Sequence, residues 1–260
     1  MSFEDSIEEE VEEIVEAAVV ETGEEPVAEP DAEVAEAPAP RRYAVIFELE
    51  NLVGNARLAA FEVLKGILNE KDIKFEAPEF SRHCLFSGPE YYVEQVQEAV
   101  GAKKLSTRKL IEDVESGIGL HLTSANVEVP AGLKKIIQYA FDQDIVVAGV
   151  SSLPGNVYKS VTAKLGLEEQ GIRLFHFESV DRNFPRADAW LKVAKELEID
   201  PRSCLVLGTS QYSCKSALTA GMRCAAIPDD LTSFQDYGGA YAIIDDINEA
   251  DPQALFDFID

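Results

Sequence analysis

The sequence predicts an α/β protein: a three-layer, Rossmann-like parallel sheet with an inserted helical cap and a disordered acidic N-terminal arm. After Arg42, apolar segments of strand length alternate with amphipathic segments of helix length, which is typical of βαβ units. Helical patterns at residues 55–122 interrupt this alternation after the first strand. We therefore predict an arm at residues 1–42, a core at 43–54 and 123–260, and a cap at 55–122.

The arm differs from the rest of the chain in composition. "SIEEEVEEIVEAAVV" places one apolar stripe on an otherwise acidic helical pattern. "TGEEPVAEPDAEVAEAPAP" follows, and its repeated Pro, Ala and Glu predict an extended, disordered linker. Two interpretations stay open for this arm: a solubilising, solvated segment, or a docking peptide for the groove of a partner protein.

Charge and composition restrict the classes of partner. The 260 residues carry a formal net charge of −25, and residues 1–40 hold fifteen acidic residues without Lys or Arg. Such a surface repels phosphate backbones and anionic lipid heads, so we expect no nucleic-acid and no membrane partner. Without a secretory signal or a run of ~20 apolar residues, a cytoplasmic protein is expected. The cysteines form no CxxC pair and predict buried free thiols: Cys84, Cys204, Cys214 and Cys224.

The first strand and the predicted cap come next along the chain. "YAVIFEL" is typical of a buried strand, and it ends at Glu48 and Glu50, whose spacing predicts that both lie on one strand face. The cap follows with three helical patterns: "ARLAAFEVLKGILNE", "PEYYVEQVQEAVG" and "STRKLIEDVESGI". In the first of these patterns, Leu58, Phe61, Leu64 and Leu68 share one face.

The remaining segments return to strand and helix alternation. The predicted helices are "VPAGLKKIIQYAFDQD", "PGNVYKSVTAKLGL", "ADAWLKVAKELEI", "YSCKSALTAGM" and "PQALFDFI". The predicted strands are "IVVAGVSS", "IRLFHFES", "SCLVLGTS", "RCAAIP" and "AYAIID". Ligands of open α/β sheets bind beyond the carboxyl ends of the strands. The candidate site residues are therefore the polar ones that follow each strand.

Two segments resemble the haloacid dehalogenase superfamily, a group of mostly phosphate-transferring enzymes with a Rossmann-like core. "VEVPAGLKKIIQYAFDQDIVVAGVSS" resembles the helix that leads to the second motif of the family. "FPRADAWLKVAKELEIDPRSCLVLGTSQYSCKSALTAGMRCAAI" resembles a later stretch of its phosphoglucomutase- and phosphatase-like branch. The resemblance covers roughly residues 43–260. It implies a phosphohydrolase with an aspartate nucleophile and Mg²⁺.

The resemblance assigns positions to the catalytic motifs. Glu48 stands where the family has its nucleophilic aspartate, and Glu50 stands where it has the aspartate that acts as acid and base. Ser151 keeps the hydroxyl of the second motif. Three other positions are degenerate: Phe184 replaces the lysine, and Gly208 and Thr209 replace the acidic pair that helps to hold the metal.

Phosphate and metal binding would therefore depend on few groups. Ser151 and Ser152 precede a helix start, where backbone N–H groups hold anions, although simple helix capping is the alternative. Arg182 or Arg186 would supply a cation for phosphate, the alternative being that both are surface residues. Glu48, with a backbone carbonyl and water, would be the protein ligand to a weakly held Mg²⁺.

We therefore expect a catalytically degenerate pseudo-phosphatase that binds a phosphorylated small molecule or a protein partner. One alternative is a slow Mg²⁺-dependent phosphohydrolase that uses Glu48 as nucleophile or metal ligand and Glu50 as acid and base. The other alternative is a non-catalytic scaffold whose acidic arm recruits a partner.

Overall fold

A computed structural model describes residues 42–85, 88–177 and 186–259. It contains a six-stranded, fully parallel sheet in the order β3-β2-β1-β4-β5-β6. The strands are β1 Ala44–Glu48, β2 Val146–Ser151, β3 Arg173–His176, β4 Cys204–Gly208, β5 Arg223–Ala226 and β6 Ala242–Ile243. The predicted α/β fold with a parallel sheet is confirmed. The N-terminal arm that the sequence predicts lies outside the described residues, up to position 41.

Ten α-helices lie within the described residues. They are α1 Leu49–Gly54, α2 Ala56–Asn69, α3 Ala77–His83, α4 Pro89–Ala99, α5 Thr107–Thr123, α6 Ala131–Asp142, α7 Gly155–Leu165, α8 Ala187–Leu197, α9 Gln211–Thr219 and α10 Pro252–Leu255. The sequence did not predict α1 and α3, because six or seven residues are too short to show a helical period. None of these helices is long and apolar enough to cross a membrane.

The order of the strands places three strand ends side by side. β1 pairs with β2 on one side and with β4 on the other. Glu48 lies opposite Val150, and Phe47 lies opposite Leu207. The residues that follow β1, β2 and β4 therefore meet at one edge of the sheet. This is the edge at which open α/β sheets bind ligands.

Each face of the sheet is covered by its own apolar cluster. Phe47 packs on one face with Leu133 and Ile136 of α6. Ile46 packs on the other face with Trp190 of α8, which is fully buried. The alternation of inward side chains along β1 thus supplies both clusters.

The helices between β1 and β2 share a third apolar cluster. It joins Phe61 of α2, Phe80 of α3 and Tyr92 of α4, whose rings meet edge to face. Leu58 was predicted on the same face as Phe61, but it is 40% exposed. Leu58 lies in the first turn of α2 and does not belong to this cluster. The assignment of residues 55–122 to a separate cap stays a prediction.

The C-terminal segment packs against the start of α6. The amide of Gly132 donates a hydrogen bond to Asn248 Oδ1 at 3.0 Å. A Cβ atom at position 132 would lie 1.8 Å from the carbonyl oxygen of Ile247. Glycine is therefore required here by the close approach of two backbones. Ile247 and Leu255 complete the same apolar cluster as Phe47.

Candidate functional site

A cavity of about 170 Å³ opens at the carboxyl edge of the sheet. Glu48, Glu50 and Ser152 line it from the strand ends. Arg57 and Glu90 line it from the helices between β1 and β2. The structure thus brings together three of the residues that the sequence singled out, and it adds others that the sequence reasoning missed, Arg57 and Glu90 among them.

The carboxylate of Glu48 is held by hydrogen-bond donors of the protein. Its Oε2 atom accepts from the Thr209 amide at 3.0 Å and from the Thr209 hydroxyl. Its Oε1 atom accepts from the Ser213 hydroxyl in the first turn of α9. A carboxylate offers about four lone-pair positions, so three are already occupied. Glu48 is 5% exposed and is fixed toward the end of β4.

Glu50 points toward β2 instead. It lies in the first turn of α1, and its Oε1 atom accepts from the Ser152 amide at 3.1 Å and the Ser152 hydroxyl at 2.9 Å. Its Oε2 atom is buried without a hydrogen-bond partner. The prediction that Glu48 and Glu50 share a strand face is wrong, because the chain turns into helix directly after Glu48.

Burial changes the protonation of Glu50. Loss of solvent raises the pKa of this carboxyl above its ordinary value, and the charge of Glu48 adds a smaller increase. The two donors from Ser152 oppose the increase. Because the folded pKa exceeds the unfolded one, the folded state holds the proton more strongly, and stability falls as pH rises between the two values.

Glu50→Gln is expected to raise the free energy of unfolding at pH 8 and to leave it nearly unchanged at pH 4. The amide keeps an acceptor for Ser152 and removes the buried charge. Urea unfolding of wild type and variant across this pH range measures the difference. Glu94→Gln is a matched control, since Glu94 is exposed on α4. An effect of equal size at both pH values would contradict the expectation.

A partly buried ion pair continues the network from Glu48. The Arg57 guanidinium contacts the Asp229 carboxylate and also donates to Thr209 Oγ1 at 3.2 Å. The side chains of Arg57 and Asp229 are only 9% and 17% exposed. Sequence reasoning missed this pair, since 172 positions separate the two residues and neither belongs to a recognised motif. Arg57 is the one cation among the described residues that line the cavity.

The other strand-end residues play local roles. Ser151 is fully buried, and its hydroxyl accepts from the Leu153 amide at 3.2 Å. The N-cap of α7 is Pro154, so neither Ser151 nor Ser152 caps that helix through its side chain. Gly208 ends β4 where a Cβ would lie 2.8 Å from Ser213 Cβ. Thr209 donates a hydrogen bond from its backbone amide to Glu48, as described above.

Of the two predicted arginines, the structure describes only Arg186. Arg186 precedes α8, forms an ion pair with Asp188 at 3.3 Å and does not line the cavity. Arg182 and Phe184 lie outside the described residues. Their assignment as a phosphate ligand and a degenerate position stays a prediction.

The donor set around Glu48 does not fit Mg²⁺. A hard cation needs oxygen lone pairs, but the donors from Thr209 and Ser213 leave Glu48 roughly one. Gly208 and Thr209 supply no carboxylate. In the part of the chain that the structure describes, no three His, Cys, Asp or Glu side chains are grouped to hold a metal.

Two further carboxylates line the cavity from the helical side. Glu90 lies in the first turn of α4, and its Oε1 atom is buried without a hydrogen-bond partner. Glu115 on α5 has a raised pKa, first because of burial and then because of the charge of Glu90. With Glu48 and Glu50, four carboxylates face one guanidinium among the described lining residues. Of the features of the sequence, only its acidic composition indicates that the wall of the cavity is negatively charged.

Comparisons with known proteins agree on the architecture. No protein-family model matches the chain. The Bacillus subtilis (strain 168) protein named "Putative phosphatase YhcW" is 22% identical over 197 residues, which are 75% of this chain and 88% of that protein. CbbY from Rhodobacter sphaeroides, solved in complex with phosphate, matches with a TM-score of 0.65 and 14% identity over 80% of this chain and 96% of its own.

A second solved structure gives the same result. The β-phosphoglucomutase of Clostridium difficile matches with a TM-score of 0.63 and 15% identity over 84% of this chain and 99% of its own. The two solved structures match nearly over their full lengths, so the likeness includes the helices between β1 and β2 as well as the sheet. The chain therefore has the fold of the haloacid dehalogenase-like hydrolases, the fold that CbbY and β-phosphoglucomutase share.

Proposed function

We propose that this protein is a catalytically silent binding protein built on a phosphohydrolase fold. The observation that carries the proposal is the state of Glu48, whose two carboxylate oxygens accept hydrogen bonds from Thr209 and Ser213. The fold itself remains suited to binding, because a cavity persists beside these residues.

The hydrogen-bonded carboxylate of Glu48 is unsuited to nucleophilic attack. A nucleophile needs a free lone pair directed at the reacting atom, and a displacement of about 1 Å can cost around a hundredfold in rate. Glu48 would have to leave its donors on Thr209 or Ser213 before it could attack a phosphoryl group. Hydrogen-bond donors of the protein also occupy the position beside Glu48 where a cation would stabilise the negative charge of the transferred phosphoryl group.

The proposal allows two classes of ligand. The relatives support a phosphorylated small molecule, since CbbY was solved in complex with phosphate and the Bacillus protein is named a phosphatase. Within the cavity, however, Arg57 is already paired with Asp229. A protein partner recruited by the acidic arm is the other form of this proposal, and it concerns residues up to position 41, outside the described structure.

Turnover of p-nitrophenyl phosphate with Mg²⁺ tests the proposal. We expect the wild-type rate to equal that of Glu48→Gln, because the carboxylate takes part in no reaction. Glu94→Gln, on the exposed face of α4, controls for contaminating phosphatase and for the change in net charge. Turnover that Glu94→Gln retains and Glu48→Gln loses would overturn the proposal.

A slow phosphohydrolase is the second candidate, and the raised pKa of Glu50 favours it. A carboxyl whose pKa is raised by burial holds its proton more strongly, and a group of this kind can act as a general acid toward a leaving group in the cavity. If this candidate is correct, Glu50→Gln abolishes turnover together with Glu48→Gln. If the protein is silent, both variants leave the background rate unchanged.

A further inference from the structure

Two carboxylate oxygens in the cavity wall lack any hydrogen-bond partner. They are Glu50 Oε2 and Glu90 Oε1, and they are the only buried side-chain oxygen or nitrogen atoms without a partner among the described residues. Glu50 is 8% exposed, so water reaches it poorly. Buried polar atoms are normally paired, and an unpaired one in a cavity wall indicates a group supplied by a ligand. Both residues line the same cavity.

The position of Glu90 is built into the start of α4. Its Oε2 atom lies 2.5 Å from where a Cβ of residue 88 would be, so Gly88 leaves room for the carboxylate. Glu115 is close enough for the charge of Glu90 to raise its pKa. Glu90 and Glu115 both line the cavity, so two acidic groups belong to its wall. The nearest described cation in the wall, Arg57, is paired with Asp229.

The rest of the wall on this side is apolar and aromatic. Phe80 and Tyr92 line the cavity with their rings edge to face, and Leu85 and Ile118 lie beside them in the lining. The volume of about 170 Å³ compares with roughly 150 Å³ for a cavity that holds benzene. The occupant is therefore a molecule of about that size with one charged end.

We propose that this cavity binds a small organic ammonium ion. The ammonium group donates to Glu90 Oε1 beside Glu115, a polar group of the same ligand meets Glu50 Oε2, and the apolar part lies against Phe80 and Tyr92. The inference rests on the proposed binding function and names its ligand class. It opposes a phosphate ligand, because the carboxylates that hold an ammonium ion repel an anion.

Three probes of one shape test the charge preference: benzylamine, which is protonated at neutral pH, benzyl alcohol and benzyl phosphate. Isothermal calorimetry on the full chain measures the affinity for each. We expect benzylamine to bind at least about tenfold more tightly than the other two, since hydrogen bonds between charged groups are stronger than those between neutral groups. Equal affinities, or a preference for benzyl phosphate, would overturn the inference.

Two matched variants locate the site. Glu90→Gln should weaken benzylamine binding at least about tenfold and leave benzyl alcohol unchanged, whereas Glu94→Gln on the same helix should change neither. Thermal unfolding without ligand verifies that both variants are folded. Equal benzylamine affinities of the two variants would place the ammonium ion elsewhere and sink the assignment. The calorimetry result does not affect the turnover test. Failure of the ammonium-ion proposal can therefore be distinguished from failure of the proposed function.

Discussion

Glu48→Ala is expected to lower the free energy of unfolding by about 2–4 kcal/mol. The substitution removes the acceptor of the Thr209 amide, the Thr209 hydroxyl and the Ser213 hydroxyl, all of which are buried. Each buried donor without a partner costs about 1–3 kcal/mol, and water entering the space recovers part of that cost. If Glu48 has a structural role, its removal should therefore lower the free energy of unfolding more than the removal of a catalytic carboxylate would.

Urea unfolding monitored by the fluorescence of Trp190 measures this effect. Glu94→Ala removes the same charge from an exposed helical position and should change the free energy of unfolding by less than about 0.5 kcal/mol. Residues kept for catalysis often reduce stability, so their removal tends to stabilise a protein. A Glu48→Ala protein as stable as wild type, or more so, would show that the network is not structural.

Gly208→Asp should destabilise the protein by about 4 kcal/mol or more. The substitution restores a carboxylate at the position where the sequence resemblance places one. Its Cβ would lie 2.8 Å from Ser213 Cβ and 3.3 Å from Cys224 Sγ. Overpacking of this kind costs about 1–3 kcal/mol. A second buried carboxylate beside Glu48 adds an unpaired charge, which is costlier still.

Two simpler substitutions separate these contributions. Gly208→Ala carries the steric part alone, so we expect about 1–3 kcal/mol of destabilisation. Gly66→Ala in α2 adds a methyl group to open space and should stabilise the helix by about 0.5–1 kcal/mol. Thermal unfolding with and without Mg²⁺ completes the experiment. A Gly208→Asp protein that folds normally and is stabilised by Mg²⁺ would contradict the structure around Glu48.

The strands and most helices could be predicted because their signal is local. "IVVAGVSS" is apolar up to its two final serines, as is typical of a strand covered on both faces. Trp190 shares a helix face with Ala194 and Leu197, and all three are buried. Helix α1 could not be predicted because its six residues directly follow β1 and are too few to show a helical period. The consequence was large, since the turn into α1 sends Glu50 away from Glu48.

The candidate site could be predicted only in outline. Topology places Glu48 near the end of β4, but the sequence does not reveal that Thr209 and Ser213 become its donors across more than 160 positions. The resemblance identified Gly208 and Thr209 as losses. The structure shows that Thr209 also forms a new interaction. Glu90 carried no sequence signal, because one glutamate among 48 acidic residues is indistinguishable until the fold buries it.

The backbone approach at Gly132 has a consequence for synthesis on the ribosome. Asn248 follows Gly132 by 116 positions, and β1 pairs with β4 across a longer separation, since Ala44 lies opposite Cys204. A nascent chain that has emerged only as far as β2 has half of its central strand unpaired and one apolar face without Ile247 and Leu255. Translation must therefore reach Leu255 before this apolar face is fully covered. Until then the face stays accessible to chaperones.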